Sequence, residues 1–219
     1  MIAGVSKGLV VMSVAGLISA ALVWLPTCAY AKEDLGPMAK LRRTEAEIRA
    51  AVSRRVPDWS PEADMRRRQI ERLLGGLLDY DAIASEALGA AFSKLAPERR
   101  RDFVATFAAL TRHTFVTRLE NQKLRTSYDA ETIEGSAARV TATTFAPGAA
   151  PETGSHIEYR LERKDSDWRI TDVIVDGTSL VATYKRQFRK LVAREGMDGL
   201  MERMHDQLAS ADRPLRPEK

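Results

Sequence analysis

The chain has 219 residues, 34 Lys and Arg against 30 Asp and Glu, and one cysteine. A formal charge of +4, with no basic patch interleaved with aromatics, excludes a nucleic-acid binder on electrostatic grounds. One thiol excludes a disulfide framework, so the fold must stand on a hydrophobic core, and the length suits one domain of moderate size.

Lys7 precedes an uncharged run from Gly8 to Leu25, and Ala29-Tyr30-Ala31 offers a small-x-small cleavage site. This pattern predicts a secretory signal over residues 1–31, cleaved near Ala31, and a periplasmic location. A retained membrane anchor is the alternative, since the apolar run approaches the length that spans a bilayer. Cys28 lies inside the segment, and Pro26-Thr27 before it suits lipid modification poorly. Cleavage removes Lys7 and no acid, leaving +3. That mild balance suits transient contact with an anionic membrane surface.

In the mature chain, one domain is expected over 32–210. Leu41, Ile48, Val52 and Val56 are spaced along one face of a helix from Ala39 to Val56, which Pro57 to Pro61 interrupts. Ser60 is then a candidate N-cap with Pro61 at the first helical position, and Met65, Ile70, Leu73, Leu74, Leu77 and Leu78 mark a second helix. The Arg66-Arg67-Arg68 run reads as its solvated face. A short helix from Asp81 to Leu88 ends at Gly89, and a long one from Pro97 to about Leu119 repeats Phe103, Phe107, Leu110, Thr114 or Phe115, and Leu119 at helical spacing.

From Lys123 the period changes to two. Lys123 to Gly135, Ala137 to Gly148, Gly154 to Asp165 and Asp167 to Gly177 read as four strands joined by short turns, an antiparallel meander with one wet face. In the third, Ile157, Tyr159 and Leu161 face one way and His156, Glu158 and Arg160 the other. The fourth ends in consecutive Val173, Ile174 and Val175, which makes both faces of that strand end apolar. A helix from Thr178 to Arg194, capped by Asp176 or Thr178, carries Leu180, Val181, Tyr184, Phe188, Leu191 and Val192. Gly196 stops it, a last helix bears Met197, Leu200, Met201, Met204 and Leu208, and residues 211–219 form a disordered tail. The fold class is therefore α+β: one four-stranded antiparallel sheet with helices on its dry face.

No catalytic constellation rises above background. GxxxxGK[ST], GxSxG and HExxH are absent, and His113, His156 and His205 sit on three elements without partners at metal-ligand spacing. Asp172 and Asp176 stand four apart, the spacing of a possible acid/base pair, but Asp176-Gly177 reads better as a turn. The expectation is a protein that is not an enzyme and holds no cofactor or metal.

The segment from Trp168 to Phe188 resembles the strand-to-helix signature of the MlaC, or toluene-tolerance, family: D-V-x-x-x-G-x-S-L-x-x-x-Y-x-x-Q-F stands here as Asp172, Val173, Gly177, Ser179, Leu180, Tyr184, Gln187 and Phe188. Leu78 to Phe115 is similar to a second family segment. Phe92 stands where that family commonly has Trp, and Thr183 where Asn is usual. The resemblance implies a periplasmic lipid carrier whose sheet and helices enclose an apolar cavity for acyl chains. It implies phospholipid as cargo, and as partners an inner-membrane ABC transporter complex and an outer-membrane lipoprotein complex. A hopanoid-associated branch, HpnM, is equally compatible with the motifs. On the sheet, Ile157, Tyr159, Leu161, Ile170, Val173 and Val175 are the expected lipid-facing residues. Val181, Tyr184 and Phe188 join them from one helix, and Phe103, Phe107 and Leu110 from another. For each of these, ordinary core packing is the competing role. A non-catalytic adaptor with an apolar partner-binding groove is the competing function.

Overall fold

The computed structural model describes residues 35–53, 56–57, 60–121, 124–150 and 153–211, with side chains of 118–121 and 211 outside that description. The expected leader and the tail beyond Ala211 lie outside the described residues. Among the described residues no helix is long and apolar enough to cross a membrane.

Helix α1 spans Pro37–Val52, earlier at both ends than the apolar spacing indicated. It starts with Pro37 in the first turn, where a missing N–H costs nothing. Helix α2 spans Pro61–Leu77, and the Ser60 side chain accepts from Ala63 N as the sequence predicts. Leu78 leaves that helix: it is extended, bridges Ile170 in parallel, and is followed by Asp79 N–H donating to Ile170 O at 2.9 Å. The Asp79 side chain then caps α3, Tyr80–Leu88. A four-residue helix α4, Ala90–Ser93, leads into α5, Pro97–Asn121.

The sheet follows in meander order: β1 Arg125–Glu134, β2 Ala137–Phe145, β3 Ser155–Lys164 and β4 Asp167–Val175. The expected count of four strands is corrected to five, because Thr178–Ser179 forms a short β5 antiparallel to β4. Two-residue turns create these pairings. Asp165 and Ser166 both have positive φ (50° and 61°), as do Asp176 and Gly177 (48° and 77°), the conformation that matches strand twist in tight hairpins. Helix α6 therefore begins at Leu180 rather than Thr178, and runs to Ala211 across a break at Gly196 (φ 73°, ψ −176°).

The register decides the faces. Leu161 pairs with Ile170, Tyr159 with Val173 and Ile157 with Val175, with a bulge opposite Arg160 that leaves Thr171 unpaired. Because β3 alternates, the bulge brings Ile170, Val173 and Val175 to one inner face and leaves Ile174 on the outer side. Both faces of this strand end are therefore apolar, with Val173 and Ile174 half-buried and Val175 40% exposed. Ala138, Val140 and Ala142 of β2 pair onto the same inner face. The outer face carries Arg139, His156, Glu158, Arg160 and Glu162, with a Glu158–Arg160 bond at 3.0 Å.

Candidate functional site

The inner face of the sheet has two ends. At the β3–β4 hairpin end, Ala138, Leu161, Trp168 and Ile170 are buried beneath the helices. Lys40 of α1 donates to Gly76 O at 3.0 Å, Asp167 Oδ1 at 2.7 Å and Trp168 O at 2.5 Å, and Arg169 donates to Gly75 O at 2.9 Å. At the end where β2 turns into β3, Ile157, Tyr159 and Val173 are only half-buried and Val175 is 40% exposed. Apolar side chains thus line a strip that the helices cover incompletely.

Helix α6 is hung from this open end by one carboxylate. Asp172 Oδ1 accepts from Val173 N at 2.9 Å and Val181 N at 3.1 Å, and its Oδ2 accepts from the Ser179 hydroxyl at 2.7 Å. Ser179 Oγ in turn accepts from Ala182 N at 3.0 Å. Ser179, assisted by Asp172, is therefore the cap, in place of the Asp176 or Thr178 that the sequence suggests. Asp176 pairs with β3 instead: its Oδ1 accepts from His156 N at 2.8 Å. Both acids are committed to structure, so the Asp172/Asp176 spacing does not make an acid/base pair. The histidines are also scattered, and among the described residues no group of acids, histidines or cysteines has the arrangement to hold a metal ion.

Between α5 and α6 the aromatic stripes interlock. Phe103 and Phe188 have ring centroids 5.7 Å apart, Phe107 and Tyr184 5.2 Å, and Tyr184 and Phe188 5.6 Å, with Phe92 of α4 against Phe103 at 6.3 Å. Phe103, Phe107, Val181 and Phe188 are buried, while Leu110 and Tyr184 are half-buried. The structure thus brings the expected helix residues into one cluster and the expected sheet residues onto one face.

Sequence reasoning missed the polar group on that face under α1. Arg42 lies over the Tyr128 ring at 5.1 Å and donates to Tyr128 O at 3.3 Å. Burial pushes the Tyr159 hydroxyl up to about 12, with the Glu45 charge adding to the shift. The Tyr128 hydroxyl is raised further by burial, by Tyr159 and by Glu45, to which it hydrogen-bonds. Both tyrosines stay neutral donors through the ordinary pH range. The signal was present as a Glu on the polar side of α1, but nothing local tied it to tyrosines on strands far along the chain.

The family model for the MlaC protein matches residues 46–206, most of the chain. The chain belongs to the MlaC family. The MlaC signature therefore has a structural meaning here: Asp172 and Ser179 join β4 to α6, Gly177 makes the turn, and Tyr184 and Phe188 enter the aromatic cluster. No protein with a curated description matches the chain. A solved phospholipid-binding protein from Ralstonia solanacearum, in complex with a phospholipid, superposes with a TM-score of 0.66 at 19% identity, covering 82% of this chain and all of that one. That likeness establishes the MlaC-type fold for this chain.

Proposed function

We propose that the protein is a lipid carrier that takes acyl chains onto the open end of its inner sheet face and carries out no covalent chemistry. The observation that carries this reading is membership of the MlaC family together with the fold shared with the phospholipid-binding protein of Ralstonia solanacearum, which was solved with its lipid. The strip of Ile157, Tyr159, Val173 and Val175 supports it, because these side chains are apolar yet only partly covered. The buried aromatic cluster of Phe103, Phe107, Tyr184 and Phe188 with Val181 and Leu110 forms the helical wall beside it, and Leu161 and Ile170 its floor toward the clamped end.

The physical need for such a carrier is large. A diacyl lipid leaving a bilayer exposes on the order of thirty methylenes at about 0.8 kcal/mol each, so roughly 20 kcal/mol must be offset by protein. In this reading the mature protein works in the periplasm, exchanging phospholipid with an inner-membrane ABC transporter complex and an outer-membrane lipoprotein complex. Each partner would favour the empty form of the carrier, since a ligand moves only when its affinities differ between states.

The test is native mass spectrometry with lipid extraction on mature protein purified without detergent. Near-stoichiometric phospholipid supports the carrier, and a hopanoid would assign it to the HpnM-like branch. A folded protein that is empty and takes no lipid from vesicles overturns the reading and favours the adaptor.

A further inference from the structure

The Arg66-Arg67-Arg68 run on α2 is divided by the structure. Arg67 stands apart, whereas Arg66 and Arg68, with Arg72 one turn on and Arg112 from α5, line a recess of about 1010 Å³ that the C-terminal end of α1 helps to close. None of the residues assigned above to acyl chains contributes to it. We propose that this recess binds a phosphate ester, as a site separate from the inner face of the sheet.

Four guanidinium groups face two carboxylates, Glu62 and Glu71, around one concavity. Among the described residues Arg68, Arg72 and Arg112 form no ion pair. Arg72 Nε donates to Arg68 O at 3.4 Å, and Arg112 lies over the Tyr80 ring at 5.4 Å. Tyr80 is 9% exposed and is pushed up to about 12, chiefly by burial, so it stays a neutral platform that fixes the position of Arg112. Like charges gathered in a cleft focus a positive potential that an anion relieves. The planar guanidinium fork matches phosphate oxygens two at a time, which a single ammonium cannot do.

Size and lining define the rest of the ligand. The volume reaches the top of the range for small-molecule sites and exceeds what a bare phosphate fills. Met65, 55% exposed, and Val56 supply an apolar wall beside the arginines. The ligand is therefore a phosphate carrying an organic group, either a lipid headgroup at a membrane or a free phosphate ester such as glycerol phosphate. This site stands independently of the acyl-chain reading.

The experiment titrates the mature protein with sn-glycerol 3-phosphate by calorimetry at low salt, and floats it with vesicles of phosphatidylglycerol and phosphatidylcholine. Arg68→Glu with Arg72→Glu tests the recess. Arg189→Glu with Lys190→Glu, on the exposed face of α6, makes the same charge change elsewhere. Saturable binding that weakens about tenfold or more in the first pair and less than about twofold in the second supports the proposal. Flotation lost in step assigns the site to headgroups, and flotation unchanged assigns it to free esters. Absent saturable binding by the unmodified protein to both probes, or equal losses in both pairs, overturns it. Should the Glu pair unfold, Arg68→Gln with Arg72→Gln gives the same reading. Co-purified lipid measured on every variant keeps this result separate from the fate of the acyl-chain site.

Discussion

The two ends of the sheet's inner face are built from the same strands and the same alternation, yet they end differently. Leu161, Trp168 and Ile170 are 1%, 3% and 2% exposed, while Val175, two residues beyond Val173 on the same strand, is 40% exposed. The clamped end is tied to α1, α2 and the Leu78 bridge through Lys40, Arg169 and Asp79. The open end receives α6 through Asp172. Alternation reports which face avoids water and is silent on what covers it. Cover is a property of helices far away in the chain, and where it is incomplete an external apolar molecule can take the missing place.

The comparison breaks most sharply at Leu161. Truncating it to Ala leaves a cavity at the clamped end and is expected to cost about 2–5 kcal/mol in urea unfolding. A loss under about 1 kcal/mol would show that the end is looser than its burial implies. Next comes Asp172→Ala, which removes an acceptor of three hydrogen bonds and loosens the start of α6, with an expected cost of about 1–3 kcal/mol. Lipid content measured on the same variant should fall as well, because in the proposed site α6 walls the strip.

The third is a dependence on pH. Tyr80 and Tyr159 are raised from 10.0 to about 12, and Tyr128 is raised too. The unfolded chain loses these protons first, so stability is intact below pH 10 and falls as pH climbs toward 12. The slope is up to roughly 1.4 kcal/mol per pH unit for each tyrosine. Tyr159→Phe should flatten that alkaline slope while leaving neutral stability nearly unchanged; an unaltered slope would place the titration elsewhere. The smallest stability effect belongs to Val175→Lys, expected within about 1 kcal/mol because the side chain is already 40% exposed. Its bound lipid should nevertheless drop several-fold, and retention of full lipid content would remove Val175 from the site.

Much of this architecture was readable in local chemistry. Ser60 before Pro61, the Phe103 and Phe107 spacing, Gly196 and the four strand runs each act within a few residues, and each appears where the sequence places it. The misreadings lie at element ends and at one junction: α1 sits earlier than its apolar spacing indicated, Leu78 leaves α2 to bridge Ile170, and Thr178–Ser179 pair as β5. Val173, Ile174 and Val175 put apolar side chains on both faces of the strand end, and the pairing decides which of them meet the core. The unpaired Thr171 shifts the parity, so that Val173 and Val175 join Ile170. The same junction hides β5, because two residues pairing across a turn carry no periodicity of their own. The Glu45, Tyr128 and Tyr159 group and the arginine recess were illegible for another reason: each depends on helices and strands meeting across long stretches of chain.

Lys40 has a consequence for the order in which the molecule assembles. Its ammonium joins α2 through Gly76 and β4 through Asp167 and Trp168, which follow it by 127 and 128 residues. Met38 N–H waits similarly for Glu131, 93 residues on. During synthesis from the N-terminus, α1 can meet α2 at once, but its ties to the sheet form late. A chain whose early helix must wait for its last strands folds slowly, since contacts so distant in sequence are rewarded only after their loops close. Until β4 emerges, nothing completes the clamped end, and the growing chain remains pliable.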